Sequence, residues 1–407
     1  MGHAPQRHRR QPAGFAVTTP PRPLVKGWCP GALRPMRSGD GMLVRIRPPC
    51  GRLTQAQAAG VALLSTRYGN GLLDLSTRAN LQLRGVSEEG WPRLLDGLAE
   101  LGLLDPTPEA EARRSLVVAP FWRDGDGTME LASRLSDALR DEEGLSLPGK
   151  FGFAMDAGEQ PVLRNVSADI RIERNESGAL LCRADGASHG ARVTAATMAD
   201  AALALARWFV ASGGAVRMAA HIASGATPPP MFSEVAAARE CPATRPAPGP
   251  VAAGFMVALT FGQMEAATLS ALADTAPLRV TPWRMVLLEG VTTAPEIDGV
   301  ITCADDLLLR VVACVGAPGC AQALQPTRPL ARALAPQIPL GETLHVSGCA
   351  KGCAHPAAAS VTLVAQTGGF GLVRNGDASS PVERSLTSRQ LQAAPETLTR
   401  GADAIFL

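Results

Sequence analysis

The chain has 407 residues, which is enough for two or three domains and a substantial buried core. Its content of 46% hydrophobic and 19% charged residues is typical of a soluble globular protein, and no apolar run is long enough for a transmembrane helix. The net charge of +2 is too small to attract nucleic acid, and the basic N-terminus lacks the apolar segment of a secretory signal, so we expect a cytoplasmic protein without nucleic-acid or membrane partners.

Residues 1–26 are rich in proline and arginine, which predicts a disordered tail. The globular part opens with a predicted strand, "GMLVRIRPP", and an amphipathic helix, "TQAQAAGVALLSTRYG". "LLDLSTRANLQLRGV" follows as a strand pair or one long bent strand, and "EEGWPRLLDGLAELGL" as a second helix.

After about residue 111 a new unit alternates strands with helices. Its predicted strands are "RSLVVAPF", "KFGFAMD", "ADIRIER" and "GALLCRAD". Its predicted helices cover residues near 128–142 and the segment "TAATMADAALALARWFVAS". Residues 223–250 contain seven prolines and little periodicity, which predicts a linker between domains.

The segment after the linker repeats the first unit. "LDLSTRANLQLRGV" at 73–86 aligns without gaps to "LRVTPWRMVLLEGV" at 278–291. Each is preceded by a predicted strand and helix, the second time "FMVALTFGQ" and "MEAATLSALAD". A strand, helix and strand order that occurs twice predicts a duplicated α+β unit with pseudo-twofold symmetry and a cleft for a large ligand.

Two close pairs of cysteines lie on glycine-rich loops. "ACVGAPGC" holds Cys314 and Cys320, and "HVSGCAKGCAHP" holds Cys349 and Cys353. In a reducing compartment such thiols are more often metal ligands or catalytic groups than disulfides. Four soft thiolates can complete the shell of a 4Fe-4S cluster, and glycine lets backbone N–H groups turn toward the sulfurs. The alternatives are zinc, whose loops more often use C-x2-C spacing, and unliganded or disulfide-bonded cysteines.

The remaining cysteines lack close partners, and the default prediction for each is a small buried residue. They are Cys29, Cys50, Cys182, Cys241 and Cys303. "TLHVSG" predicts a strand that leads into the second cysteine loop, and "DDLLLRVVA" predicts a helix capped by Asp305 and Asp306.

The C-x5-C and C-x3-C pairs are similar to the cluster motif of the siroheme-dependent sulfite and nitrite reductases. The repeated unit around "STRANLQLRGV" resembles the repeat that builds their pseudosymmetric fold. The similarity runs from about residue 28 to about residue 375. It implies an α+β fold in which duplicated ferredoxin-like repeat units are joined by two further α/β lobes, in a pseudo-twofold nitrite/sulfite reductase-like architecture.

The resemblance divides the chain into a disordered tail, a first ferredoxin-like repeat unit, a first α/β lobe, a linker, a second ferredoxin-like repeat unit and a cluster-binding lobe. The corresponding residues are 1–26, 27–110, 111–222, 223–250, 251–300 and 301–407.

In that family the last cysteine bridges the cluster to the siroheme iron, and basic residues surround the carboxylates of the macrocycle. Planar guanidinium groups suit this task because they bind carboxylates bidentately. By motif the resemblance implies a substrate-binding role for five basic residues: Arg45, Arg47, Arg78, Arg114 and Lys150. It implies a catalytic role as well for Arg114 and Lys150. Lys150 is one of only three lysines among 39 basic residues, which suggests a need for a compact ammonium there.

Two features of this sequence differ from those of the siroheme-dependent reductases. Gly152 stands where the siroheme reductases carry a second lysine, and the chain is short for a sulfite reductase. The opening "GWCPGALRPMRSGDGMLVRIRP" resembles that of the precorrin-3B synthases of aerobic cobalamin biosynthesis. This resemblance implies a monooxygenase that converts precorrin-3A to precorrin-3B with O2, by hydroxylation and γ-lactone formation, and that uses a 4Fe-4S cluster and a non-haem iron.

The resemblance also implies NADH as the source of electrons. No G-x-G-x-x-G motif follows a predicted strand, so we expect a separate electron-donor reductase to use NADH. Imidazole suits non-haem iron, and the candidate ligands are His189, His221, His345 and His355. The last is the best placed, two residues after Cys353. The alternatives are a siroheme-dependent sulfite or nitrite reductase and a non-catalytic cluster protein that carries electrons or senses redox state.

Overall fold

A computed structural model describes residues 29–236 and 245–398. The predicted tail and Cys241 lie outside these residues. The described chain forms two compact units, one ending at Leu309 and one beginning at Arg310. No helix of the described residues is long and apolar enough to cross a bilayer.

Short strands are spread along the whole of the described chain. In chain order they are β1 Met36–Ser38, β2 Gly41–Ile46, β3 Arg52–Leu53, β4 Leu72–Leu75, β5 Leu81–Val86, β6 Leu116–Val118, β7 Phe153–Asp156, β8 Ile170–Arg174, β9 Leu180–Ala184, β10 His189–Arg192, β11 Val235–Ala236, β12 Gly249–Val251, β13 Gly254–Leu259, β14 Gln263–Glu265, β15 Leu278–Val280, β16 Met285–Glu289, β17 Val300–Ile301, β18 Val311–Ala313, β19 Leu344–Ser347, β20 Ala359–Gln366, β21 Gly369–Gly376 and β22 Arg384–Leu386.

The α-helices lie between these strands. They are α1 Gln55–Tyr68, α2 Trp91–Glu100, α3 Pro108–Arg113, α4 Thr128–Asp141, α5 Met198–Ala211, α6 Met218–Ala223, α7 Ala266–Thr275, α8 Arg328–Leu334 and α9 Ser388–Ala393.

The strands form four sheets. The two repeat sheets have the orders β1-β2-β5-β4-β14 and β12-β13-β16-β15-β3. The two lobe sheets have the orders β11-β10-β9-β8-β7-β6 and β18-β19-β20-β21-β22. This mixture of sheets and helices agrees with the predicted α+β class.

The predicted duplication is present in the unit that ends at Leu309. Each copy runs strand, short 3-10 turn, short strand, helix and hairpin, as β2, β3, α1, β4 and β5 and again as β13, β14, α7, β15 and β16. The segment 73–86 is therefore a hairpin and not one bent strand. The ungapped alignment pairs Ala79 with Arg284, and both adopt the left-handed backbone conformation that non-glycine residues rarely take, with φ of 54° and 63°.

The two copies exchange their short strands. Strand β14 of the second copy pairs with β4 of the first, and β3 of the first pairs with β15 of the second. The buried ion pairs follow the same symmetry with the charges reversed. Arg84 Nη1 lies 2.9 Å from Asp74 Oδ2, whereas at the aligned positions Arg279 Nε lies 2.8 Å from Glu289 Oε1. The exchange joins both copies around one apolar core.

That core contains side chains from both copies, and burying each large one stabilises the fold by about 1.5–3 kcal/mol. Its fully buried members include Val61, Leu73, Leu83, Leu272 and Leu288. α1 begins at a capping box in which Thr54 Oγ1 accepts a hydrogen bond from the Gln57 N–H.

The two lobe sheets share one strand pattern. In the first, β6, β7 and β8 are parallel and β9 and β10 continue antiparallel. In the second, β18, β19 and β20 are parallel and β21 and β22 continue antiparallel. The predicted helix "DDLLLRVVA" is wrong, because Leu307–Arg310 form a 3-10 turn and Val311–Ala313 are β18. Asp306 Oδ1 accepts a hydrogen bond from the Leu308 N–H of that turn.

Candidate cluster loops and arginine cavity

The four cysteines lie at the carboxyl ends of two neighbouring parallel strands. Cys314 follows β18 directly, and Cys349 comes two residues after β19. Side-by-side parallel strands end at the same edge of a sheet, so both loops leave from one place. The loops are also joined to each other, since the Leu324 N–H donates to the Gly348 carbonyl at 2.9 Å.

Backbone N–H groups point at these sulfurs. The Gly348 N–H donates to Cys314 Sγ at 3.1 Å, and the Lys351 N–H donates to the Cys349 sulfur. Such donors favour the thiolate form that binds iron. Gly352 sits in the left-handed conformation with φ of 59°, which only glycine adopts readily and which turns the second loop.

The thiols interact with one another. Burial raises the pKa of Cys353 to about 11, and the neighbouring thiols of Cys314, Cys349 and Cys320 contribute to this rise. Burial, Cys320 and Cys314 likewise raise the pKa of Cys349. Mutual repulsion of this kind means that four thiolates need a positive centre between them.

In the described residues, no three His, Cys, Asp or Glu side chains are arranged to hold a single metal ion. The four thiols and their N–H donors have the chemistry that a 4Fe-4S cluster needs, in which each cysteine binds a different iron. The donor set therefore fits the cluster.

The candidate histidine ligands are scattered, with one exception. His189 and His221 hydrogen-bond to Ser188 and Ser212 respectively. His345 is fully buried in β19, and its ring contacts that of His355 edge-on at 5.6 Å. The structure thus brings together two of the four candidate histidines, both beside the second cysteine loop.

A cavity of about 450 Å³ lies in the other unit, between the first repeat and the first lobe. Its lining includes Cys29, Ser115 and Glu111 together with five arginines: Arg34, Arg45, Arg47, Arg78 and Arg113. Its volume falls within the range of small-molecule sites. Of the five basic residues expected to bind substrate, the structure brings Arg45, Arg47 and Arg78 to this one wall.

Arg45 is held by a neighbouring strand. Its Nε and Nη2 donate to Gln82 Oε1 at 3.1 and 2.6 Å. Burial and the adjacent charge of Arg47 lower the pKa of Arg45 to about 10, so it remains a cation at neutral pH. Gln82 accepts these bonds without neutralising the charge, which leaves the guanidinium able to attract an anion.

Arg47 is 7% exposed, and its Nη1 lies 2.9 Å from Glu111 Oε1. Within the described chain, no acceptor is aligned with its Nε or Nη1 for a hydrogen bond. Burial lowers the pKa of Arg47, while Glu111 raises it. A buried guanidinium with unmade hydrogen bonds is costly, and an anionic ligand would supply the missing acceptors.

Glu111 also fixes the loop that closes one side of the cavity. Its carboxylate accepts the Ala32 N–H at 2.6 Å and the Leu33 N–H at 3.2 Å. Gly31 packs so closely on it that a Cβ there would lie 2.1 Å from Glu111 Oε2. One buried carboxylate thus positions both Arg47 and the loop around Cys29.

Arg78 bridges two parts of the cavity wall. Its Nη2 donates to the Lys150 carbonyl at 2.5 Å, and its Nη1 lies 3.5 Å from Ser115 Oγ. Lys150 itself is exposed and directly follows Gly149, which lines the cavity. Arg78 therefore connects the hairpin of the first repeat to the loop before β7.

Arg114 is placed differently from the other arginines. Its Nε and Nη2 form a bidentate pair with Asp105 at 2.7 and 2.8 Å, and Nη2 also donates to the Arg47 carbonyl at 3.1 Å. It is not among the residues that line the cavity. Its contacts hold the backbone of Arg47.

Comparison with known proteins places these features in a family. Residues 34–101 match the family described as the nitrite/sulfite reductase ferredoxin-like half domain. The chain is 30% identical, over 420 aligned positions, to a precorrin-3B synthase from a Sinorhizobium species, an alignment that covers 88% of this chain and 84% of that protein. The chain belongs to the precorrin-3B synthase family.

More distant relatives agree with the wider superfamily. A ferredoxin–nitrite reductase from Synechococcus elongatus is 31% identical over 135 residues, which is 31% of this chain and 26% of that protein. The solved structure of the NirA protein of Mycobacterium tuberculosis superposes with a TM-score of 0.62 at 18% identity, over 90% of this chain and 82% of that one. This likeness confirms the fold expected from the cysteine and repeat motifs.

In this member of the precorrin-3B synthase family, the sequence alone does not identify Gln82 and Glu111 as neighbours of the basic residues. Glu111 lies in "PEAEARRS", where nothing distinguishes it from an exposed helical glutamate. Among the unpaired cysteines the expectation of burial is confirmed for Cys182 and wrong for Cys303, which is exposed. Cys29 and Cys50 are half-buried.

Proposed function

We propose that this protein is a precorrin-3B synthase that converts precorrin-3A to precorrin-3B with O2 and a reductant. One oxygen atom enters the substrate as the meso hydroxyl group that accompanies γ-lactone formation, and the other leaves as water with two electrons and two protons from the reductant. Family membership supports the substrate, because the related Sinorhizobium protein bears this name over most of its length.

The observation that carries the proposal is the group of guanidiniums around one cavity. Arg45, Arg47 and Arg78 line it, and Arg47 has unmade hydrogen bonds there. A precorrin carries many carboxylates on the rim of its macrocycle, and each accepts two hydrogen bonds from one guanidinium. We assign these arginines to one carboxylate-bearing edge of precorrin-3A.

The remaining basic residues have supporting roles in this proposal. Arg114 acts through Arg47, whose backbone it holds, and is a positioning residue. Lys150, exposed beside the cavity, supplies an ammonium for a carboxylate or for proton delivery. Its main chain already fixes Arg78.

Cys314, Cys320, Cys349 and Cys353 would hold a 4Fe-4S cluster, which supplies electrons one at a time as the reduction of O2 requires. The N–H donors of Gly348 and Lys351 would stabilise its thiolates. A non-haem iron is a further expectation, for which the pair His345 and His355 are the candidate ligands that lie together. A separate reductase would deliver the electrons of NADH.

Binding of a tetrapyrrole tests the assignment without turnover. Uroporphyrin, which is multiply carboxylated, is titrated against the full-length protein by fluorescence, with the less carboxylated mesoporphyrin for comparison. We expect Arg45→Ala and Arg78→Ala each to weaken uroporphyrin binding by about 10- to 100-fold, since a hydrogen bond to a charged group contributes about 1.5–3 kcal/mol.

The matched control is Arg134→Ala, which removes an exposed arginine of α4 that pairs with Glu130. It should leave the affinity unchanged. Equal affinities of all three variants and the wild type would reject the cavity as the substrate site. Strong macrocycle absorption bands with iron bound in the purified protein would favour the siroheme-dependent reductase instead.

A further inference from the structure

Cys29 is a half-buried thiol in the wall of the arginine cavity. Its sulfur is hydrogen-bonded to the guanidinium of Arg45. It also interacts electrostatically with Arg47 and Arg78. Three cationic side chains therefore converge on one cysteine, and adjacent cations are the surroundings that make a thiol nucleophilic.

The other described cysteines outside the cluster loops have different surroundings. Cys50 lies near Arg114, but burial outweighs that charge and raises its pKa to about 11. Burial also raises the pKa of Cys182, which is enclosed in the core of the first lobe. Cys303 is exposed, and it provides a reference for an ordinary accessible thiol.

Arg47 independently marks the cavity as a place for an anion. It is 7% exposed, it lines the same wall, and within the described residues its Nε and Nη1 have no aligned acceptor. A carboxylate bound there would satisfy these donors and would also compete with the Cys29 sulfur for Arg45. Cys29 and an anionic ligand thus share one set of guanidiniums.

We infer that Cys29 is a modification site at which hydrogen peroxide oxidises the thiol to a sulfenic acid, and that this oxidation closes the cavity to carboxylate ligands. The sulfur attacks one peroxide oxygen, the S–O bond forms as the O–O bond breaks, and the leaving hydroxide takes up the thiol proton to become water. Sulfur loses two electrons and the peroxide gains them. The ligand side of this inference rests on the proposed function.

The proposed reaction makes such a site useful. When electrons reach O2 in the absence of substrate, two-electron reduction yields hydrogen peroxide. A bound tetrapyrrole would cover Cys29, whereas the empty cavity leaves it accessible to peroxide. The sulfenic acid places an oxygen acceptor next to Arg45, so it would hold that guanidinium more firmly than the thiol does.

Two measurements on the full-length protein test this inference. The first follows alkylation by iodoacetamide at neutral pH, under anaerobic conditions, with peptide mass spectrometry to read each cysteine. We expect Cys29 to react about tenfold faster than Cys303, and excess uroporphyrin to slow Cys29 by a similar factor while Cys303 is unaffected. Equal rates for the two cysteines would overturn the inference.

The second measurement compares uroporphyrin affinity before and after brief peroxide treatment, with dimedone labelling to detect sulfenic acid. The wild type should lose affinity about tenfold and recover it with dithiothreitol, whereas Cys29→Ser should keep its own untreated affinity. An equal loss in both proteins would refute the role of Cys29.

The two proposals fail in different ways. If uroporphyrin does not bind the untreated protein, the assignment of the cavity to the substrate is wrong, and so is the ligand half of this inference. The ratio of the two alkylation rates still decides whether Cys29 is the reactive thiol.

Discussion

The contact between Gly31 and Glu111 provides a sharp test of how the cavity wall is held. A Cβ at position 31 would lie 2.1 Å from Oε2 and 2.5 Å from Cδ of Glu111, well inside van der Waals contact. The backbone of Gly31 is outside the left-handed region, so Gly31→Ala adds a steric clash without backbone strain. The carboxylate of Glu111 has to move.

The cost of that movement follows from the bonds of Glu111. It would lose the N–H groups of Ala32 and Leu33 and its ion pair with Arg47. Hydrogen bonds to a charged group contribute about 1.5–3 kcal/mol each, and breaking a buried ion pair costs about 3–5 kcal/mol. The contributions of contacts made by one carboxylate are not additive, and the loop can relax. We therefore expect Gly31→Ala to lower the free energy of unfolding by about 3 kcal/mol.

The assay is urea unfolding followed by circular dichroism, with the first transition assigned by limited proteolysis. Gly158→Ala is the matched control, since its Cβ would meet no atom closer than 3.9 Å and its backbone is also unstrained. It should change the free energy of unfolding by less than about 0.5 kcal/mol. A Gly31→Ala protein as stable as this control would refute the account of Glu111 as the anchor of the cavity wall.

Two further predictions concern pH and iron. Burial raises the pKa of Asp156 to about 6, above its ordinary value, so the stability that this group confers is present at acid pH and is lost as pH rises through about 6. The free energy of unfolding of Asp156→Asn, relative to that of the wild type, should therefore rise by about 1–3 kcal/mol between pH 4.5 and pH 7.5, as measured by thermal or urea unfolding. A difference between the two proteins that does not vary with pH would contradict the raised pKa. Cys320→Ser should lack bound iron and acid-labile sulfide after anaerobic purification, whereas the exposed Cys303→Ser should retain both, and a Cys320→Ser protein with full iron content would exclude this residue as a ligand.

Much of the fold follows from local patterns in the sequence. The hairpin at 73–86 and its copy at 278–291 share the left-handed positions Ala79 and Arg284, which fix the same turn twice. The glycines aligned at 85 and 290 are also left-handed, with φ of 67° and 70°. These features lie close together in sequence, so alignment of the two segments detects them.

The strand exchange between the repeats has no such local signal. Strand β3 contains two residues and β14 three, too few for the alternation that identifies a strand. The prediction of a helix for "DDLLLRVVA" was wrong for a similar reason, because a short apolar run fits a helix as well as a buried strand. Parallel pairing with β19 decides its structure, and β19 lies about thirty residues later.

The contacts of the arginines could not be predicted, since the sequence does not reveal the partner of each side chain. Arg45 and Arg114 both lie in or beside strands, yet one donates to the neutral Gln82 and the other to the carboxylate of Asp105. That difference leaves Arg45 available to a ligand and commits Arg114 to the protein. The cysteine pairs are visible in the sequence itself, because their spacing and glycines form the motif, and their role as cluster ligands stays a prediction.

The proposed function requires this chain to hydroxylate precorrin-3A with oxygen from O2. Anaerobically purified protein, with a reductant and a suitable reductase, is incubated with precorrin-3A under isotopically labelled dioxygen, and the product is analysed by mass spectrometry. We predict a product with the mass of precorrin-3B that carries one labelled oxygen atom. Unchanged precorrin-3A, or a product whose added oxygen comes from water, would contradict the account.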